Sequence, residues 1–431
     1  MMNKDVIGLN REKISGDNIG AFEAALLESA RKQDAYDLST INLIAPASPT
    51  KPEYCDDLPL RHNAIAEGLL GKRPYAGAEA FNEIEDLAVH AACSLFGAEH
   101  ANVQPHSVSQ ANQAVYAALL KPGDPILAMS FDVGGHLTHG LKKNFSGALY
   151  DFSFYGVDDG GIIDYDQMER LATANHPKVI VCGGSSYPRT IDFSRIAEIA
   201  HSVDAQVLAD LSHPAGLVAT GRFAAPFPHC DVVTLTPDKT MLGGHGGLIL
   251  CKNDLKTVID SAVHPGTQSS VPLRRIYGLA KCLIDAHKPE FTDFIDRVLV
   301  NMKVFEEALM PYDDSMITGG SDTHLMVVNT HKTFGLTGKG SEAALEKANI
   351  LTNRQVIPNE EQKPYIASGI RIGTTWSTAR GFDESEMGVV ANSLITVLEN
   401  ADDESTIRRV GAEMTELCNV RRPRDVWKDV I

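Results

Sequence analysis

The chain has 431 residues, 43% of them hydrophobic and 22% charged, with a net charge of −17. That length exceeds what one small core needs, so two α/β units of unequal size are expected. The acidic balance argues against nucleic acid or an anionic membrane as a partner. Seven cysteines are scattered at 55, 93, 182, 230, 251, 282 and 418, with no CxxC pair. This fits a reducing compartment and neither a disulfide framework nor a zinc site. No apolar run approaches about 18 residues, and MMNKDVIGLNREKISG lacks a signal-peptide core, so a cytoplasmic protein is expected.

Residues 17–37 predict a helix, with Asn18 as its cap and Phe22, Ala25, Leu26 and Ala30 at helical spacing. INLIAPASPTKPEY (41–54) then turns into a proline-rich loop, and HNAIAEGLLGKRPYAGAE (62–79) has no clean period. Loops of that kind tend to carry function. Residues 80–97 again predict a helix, with Phe81, Ile84, Leu87, Ala88, Ala91 and Leu95 on its apolar stripe. From residue 100 short apolar runs alternate with helical stretches: PILAMS (125–130), KVIVCGG (178–184), AQVLAD (205–210), DVVTLT (231–236) and LILCK (248–252). Such runs predict a mostly parallel sheet covered on both faces. A long helix follows at 288–310, then HLMVVNT (324–330), SEAALEKANI (341–350) and GIRIGT (369–374) predict a smaller α/β unit. Final helices are expected near 384–400 and 403–418, with a basic tail after them. The expected division is an arm and helix over 1–60, a large unit over 61–290 and a small one over 291–431.

Ligands of open α/β sheets sit beyond the carboxyl ends of the strands. The polar residues of interest fall there: His136, Ser185, Asp210, His213 and Lys239. Lys239 stands between an apolar run and a glycine-rich turn (Gly243, Gly244, Gly246, Gly247), which suits an amine held near one carbonyl carbon. Ser107 and Ser109 open a helix, where hydroxyls and free N–H groups suit a phosphate. His136 beside two glycines suits stacking on a flat ring. Asp210 suits a pyridine nitrogen, His213 its ring oxygen, and Arg371 a carboxylate. Each has a plainer reading taken alone: a hairpin lysine, a serine cap, a loop histidine, a strand-end carboxylate.

Read together, AEGLLGKRPYAG, LFGAEHANVQPHSVSQAN, ALLKPGD, GGHLTHG, NFSGALY, ADLSHPAGLVATG, PHCDVVT, GGLIL and SGIRIGT resemble the serine hydroxymethyltransferase family, in order and over nearly the whole chain. The resemblance implies a fold-type-I, pyridoxal-phosphate-dependent transferase of aspartate-aminotransferase-like architecture. It implies Lys239 as the Schiff-base lysine, Asp210 on the pyridinium nitrogen and His136 stacked on the ring. Ser107 and Ser109 would hold the phosphate, with Ser269 and Ser270 of a neighbouring subunit near it, and Val108 and Thr236 would also be cofactor-binding. Ser185 and His213 would approach the ring oxygen, and Arg371 would bind the amino-acid carboxylate. Glu67 and Tyr75 match the family's acid–base glutamate and a nearby tyrosine, both from the partner, so a homodimer or homotetramer is implied.

The departures from the family lie mostly on the substrate side. Asp238 replaces a histidine before the lysine, and Gly243-Gly244-His245-Gly246-Gly247 replaces Gly-Pro-Arg-Gly-Gly. Pro46 replaces a serine of the substrate-carboxylate site, and Ile65 a tyrosine at the phosphate. Pro74 and Gln355 replace a tyrosine and an asparagine near folate, and Val108 the first phosphate-loop glycine. Tetrahydrofolate therefore stays open. So do three readings: hydroxymethyl transfer on serine or an α-substituted serine such as α-methylserine; folate-free transaldol exchange, decarboxylation or oxidative deamination; and a non-catalytic paralogue.

Overall fold

The computed structural model describes residues 19–55, 58–65 and 67–420. Among them twelve strands form: β1 (Ile41–Asn42), β2 (His100–Asn102), β3 (Pro125–Met129), β4 (Asp151–Tyr155), β5 (Val179–Cys182), β6 (Gln206–Asp210), β7 (Val232–Leu235), β8 (Leu248–Cys251), β9 (Leu325–Val328), β10 (Ile350–Leu351), β11 (Asn353–Gln355) and β12 (Gly369–Gly373). Seven make one sheet in the order β2-β8-β7-β6-β5-β3-β4. Its centre is parallel, from β4 through β3, β5 and β6 to β7, and β8 runs antiparallel to both β7 and β2.

The side-chain period of two divides each central strand between two cores. Leu127, Ile180, Val207, Val233 and Leu250 join one apolar cluster, while Ile126, Val179, Leu208, Val232 and Ile249 join the other. Both faces are covered, which is why these strands read as unbroken apolar runs. β4 is different. It lies at the sheet edge with Asp151 and Phe154 exposed, and its DFSFY sequence gave no apolar run to detect.

A third core gathers around β9, β11 and β12, an antiparallel sheet in the order β11-β12-β9. The N-terminal segment joins this core. β1 pairs in parallel with β10, and Ile41 and Leu43 are buried among Leu345, Ile350 and Ile370. Helix Pro289–Leu309 links the cores: Phe291, Phe294, Ile295 and Val298 pack into the large one, Met302, Phe305 and Leu309 into the small one. Each such large apolar side chain contributes about 1.5–3 kcal/mol on burial.

Two helical readings need correction. Helix Ile19–Ser39 has no buried residue, and Leu26 of its expected stripe is 74% exposed. It lies along helix Glu404–Val420, and its apolar residues find no core within one chain. Its start, with the expected cap Asn18, lies outside the described residues, as does the basic tail. In helix Glu79–Phe96 the buried positions are Glu85, Ala88, Ala92 and Phe96, whereas Leu87 is 59% exposed. Glu85 is drawn inward by Arg73, which ion-pairs with it, and by Gln104, whose amide donates to it at 2.8 Å. Breaking such a buried pair on one side costs about 3–5 kcal/mol. The pair thereby fixes the loop that carries Glu67 and Tyr75. Among the described residues no helix is long and apolar enough to cross a membrane.

Candidate active site

The carboxyl ends of β3, β5, β6 and β7 converge, and their following loops bring together the residues expected from sequence. Close backbone approach makes this possible. At Gly183, after β5, a Cβ would stand 2.0 Å from the carbonyl oxygen of Asp210, and its φ of +89° suits glycine.

Asp210 ends β6 with 4% of its surface exposed. Its Oδ2 accepts from Asn112 at 2.9 Å and faces His139 Nε2 at 3.2 Å, and its Oδ1 accepts from the Ser212 backbone N–H at 3.1 Å. Asn112 is itself held, because its Oδ1 accepts from Thr234 at 2.6 Å and its Nδ2 also reaches Thr138 at 2.9 Å. Burial opposes the charge on Asp210, yet His139, His136 and Ser212 together hold its carboxyl well below the usual range. The result is a fixed carboxylate aimed from the sheet into the site. His136 lies beside it, with Nδ1 2.7 Å from Thr138 Oγ1. Burial first, then the cations around it, bring the His136 imidazole down to about 4, so the ring is neutral near pH 7.

Lys239 follows β7 in a loop closed by Leu242 N–H to Lys239 O at 3.1 Å and Gly243 N–H to Pro237 O at 2.8 Å. Among the described residues the Lys239 side chain makes no hydrogen bond or ion pair. Burial brings its amine down to about 8, against the pull of Asp210 and Asp238. Asp238 is occupied elsewhere: it takes a hydrogen bond from Thr236 and faces His245 Nδ1 at 2.5 Å. The two unusual residues of this loop, Asp238 and His245, thus form a pair. The preceding segment crosses the same loop, with Ser48 donating to Asp238 O at 2.8 Å.

Arg371, in β12, is 8% exposed and reaches the large unit. Its Nη1 donates to Ser185 O and its Nε to Asn353 Oδ1 at 3.2 Å. Burial lowers it to about 10, which leaves it a cation. Ser107 caps helix Val108–Leu119 and accepts from Gln110 N–H at 3.2 Å, with Val108 and Ser109 in the first turn. Gly247 lies against that turn, where a Cβ would stand 2.3 Å from Ser107 O.

Glu67 lines a cleft of 660 Å³ with Lys72, Lys256 and His264, and Tyr75 is 41% exposed. Ser269 and Ser270 are exposed, and Ser270 O faces His106 Nε2 at 2.8 Å, next to Ser107. Sequence reasoning missed the supports: His139, Asn112, Thr138 and Ser212 around Asp210, Asn353 beside Arg371, and His324. His139 was within reach, since it is the second histidine of GGHLTHG.

Comparison with known proteins decides the family. The serine hydroxymethyltransferase family profile matches residues 22–394. The chain belongs to that family. A curated serine hydroxymethyltransferase of Halorhodospira halophila (strain DSM 244 / SL1) is 43% identical over 399 residues, covering 92% of this chain and 94% of the relative. Serine hydroxymethyltransferases are fold-type-I transferases that use pyridoxal phosphate and tetrahydrofolate, and this chain is a pyridoxal-phosphate-dependent transferase of that kind. The residues present fit the cofactor. A desolvated amine without a partner, a carboxylate kept ionised in the core, and a serine-capped helix start against bare glycine backbone are what its aldehyde, ring nitrogen and phosphate require.

Proposed function

We propose that the enzyme transfers a hydroxymethyl group between a β-hydroxy amino acid and tetrahydrofolate, and that it accepts an α-substituted serine such as α-methylserine. The observation that carries this reading is a division within one site. Lys239, Asp210, His136 and Arg371 lie near one another, while Pro46, in the segment beside the lysine loop, stands where the family has a serine. Pro46 lies between two anchors of that segment. Its neighbour Ala45 packs on Gly373 of β12, where a Cβ would stand 2.6 Å from Ala45 Cα, and Ser48 bonds the lysine loop. Gln355 sits on β11 opposite Gly369, two positions from Asn353, which touches Arg371.

Pyridoxal phosphate, when bound, supplies an electron sink for the bond broken at Cα. The chain's own residues do the rest. Lys239 offers a largely desolvated amine, Asp210 would keep a proton on the pyridine nitrogen, and His136, a neutral imidazole, would stack on the ring. Ser107 and Ser109 would hold the phosphate, Val108 and Thr236 would also contact the cofactor, and Ser185 and His213 would stand at the ring oxygen. Arg371 grips the substrate carboxylate with the guanidinium protons not spent on Ser185 and Asn353. Glu67 and Tyr75 would serve a neighbour's site in acid–base chemistry, and Ser269 and Ser270 would reach that neighbour's phosphate. The working unit is then a homodimer or homotetramer.

The test compares kcat/KM for serine, α-methylserine and other β-hydroxy amino acids, each with and without tetrahydrofolate. Efficient turnover of α-methylserine that depends on folate supports the reading. A large preference for serine removes the altered-substrate part, and folate-independent turnover removes the hydroxymethyl transfer.

A further inference from the structure

The small unit sends one side chain into the large unit's site that no step above uses. His324 immediately precedes β9 and is fully buried, and its backbone oxygen accepts from Thr374 N–H at 3.0 Å, just beyond β12. A turn built on Ser321, whose hydroxyl donates to Leu325 O at 2.5 Å, fixes its position. The His324 ring lies nearly parallel to that of His213, with centroids 5.5 Å apart and an interplanar angle of 18°. One bond joins them, His213 Nδ1 to His324 Nε2 at 3.3 Å. The remaining nitrogens differ. His324 Nδ1 is buried with no partner, whereas His213 Nε2, also without a protein partner, is not sealed off in this way.

Both rings are neutral, because burial and the nearby cations Lys239 and Arg371 hold them well below the usual histidine range. Two neutral imidazoles carry one N–H each, and only one of the two protons can lie in the shared bond, which leaves two arrangements. If His213 donated, His324 would bear its own proton on Nδ1, a buried N–H with no acceptor. If His324 donates, Nδ1 is a bare lone pair. Buried donors are orphaned less often than buried acceptors, so the second arrangement is favoured.

We propose that His324 is a positioning residue: its Nε2–H donates to His213 Nδ1, which fixes His213 in the tautomer that carries its proton on Nε2 and presents that N–H to the cofactor's ring oxygen. This rests on the reading that His213 faces that oxygen. It gives the small unit a part in setting the cofactor's electronics, separate from the carboxylate grip of Arg371.

The experiment measures dissociation constants of the apoprotein for pyridoxal phosphate and for its 3-deoxy analogue, which lacks the ring oxygen. The wild type should prefer the parent compound. His324→Phe keeps a flat ring but has no N–H, and its preference should shrink about ten- to a hundred-fold, the worth of a hydrogen bond to a charged group. His324→Gln, whose amide can still donate near the position of Nε2, should keep most of the preference. Where His324→Phe does not fold, His324→Asn, too short to reach His213 Nδ1, takes its place with the same expectation. An unchanged preference in the phenylalanine or asparagine variant, or an equal loss in the glutamine variant, overturns the proposal alone. A wild-type apoprotein that binds neither compound overturns the cofactor reading and the proposal with it.

Discussion

Lys239 gives the most direct measure of how this site sets charge. Burial brings its amine from 10.5 to about 8, with Asp210 and Asp238 opposing and Arg371 assisting. Only the neutral amine attacks a carbonyl carbon. With a value near 8, about half of the amine is neutral at pH 8 and about a tenth at pH 7, against about 0.03% at pH 7 for an unperturbed lysine. The rate at which the apoprotein takes up pyridoxal phosphate should therefore climb about tenfold per pH unit below pH 8 and level off above it. Asp238→Asn removes one of the two carboxylates that favour the ammonium form. An amide can still meet Thr236 and His245, so the change isolates the charge. In that variant the plateau should begin at lower pH, and uptake at pH 7 should exceed the wild-type rate. The assay is rapid mixing at fixed cofactor concentration from about pH 6 to 10, with Lys239→Ala as the blank. A wild-type rate still climbing at the top of that range would refute the desolvated amine, and a plateau moved to higher pH in Asp238→Asn would refute the role given to Asp238.

Three further outcomes are expected. Arg371→Lys keeps the charge but loses the planar second contact, so amino-acid affinity should weaken about ten- to a hundred-fold in a titration while cofactor uptake stays the same; unchanged affinity would place the substrate carboxylate elsewhere. His213 and His324 are neutral when folded and take up protons when unfolded, so apoprotein stability is present above about pH 6.5 and falls below it; urea denaturation of His324→Gln should show that slope flattened by about 1.4 kcal/mol per pH unit, and an unchanged slope would mean that folded His324 is already protonated. Mixing Lys239→Ala with Glu67→Ala subunits should restore partial activity, which a fully active monomer in sedimentation would contradict.

The sequence made the large sheet legible where burial is two-sided. β5 and β8 are unbroken apolar runs because both sheet faces are covered by hydrophobic cores. β4 and β11 escaped because an edge strand or a polar three-residue strand has no such pattern; NRQ in β11 is half-exposed throughout. Glu85 escaped for a different reason. A charged residue on a helix reads as solvent-facing, and only its ion pair with Arg73, twelve residues earlier in a loop, makes burial tolerable. In the site, Asp210 at the end of β6, Lys239 in the loop after β7 and Arg371 within GIRIGT were visible in the sequence. Their supports were not, because Asn112 looks like any helical asparagine, and His324 looks like the first residue of a strand. Neither is marked until the fold sets Asn112 against Asp210 and His324 against His213.

The pairing of β1 with β10 has a consequence for how the protein is made. Ile41 meets Ile350, so this strand leaves the ribosome some three hundred residues before its partner. The large sheet, from β2 to β8, needs nothing beyond residue 251 for its own hydrogen bonds and can assemble first. The arm must meanwhile stay unpaired, with Ile41 and Leu43 uncovered. Contacts of such long sequence separation form slowly. The segment that carries Pro46 and Ser48 to the lysine loop is thus seated late, and a nascent chain acquires its lysine and carboxylate before it acquires the segment proposed to wall the substrate.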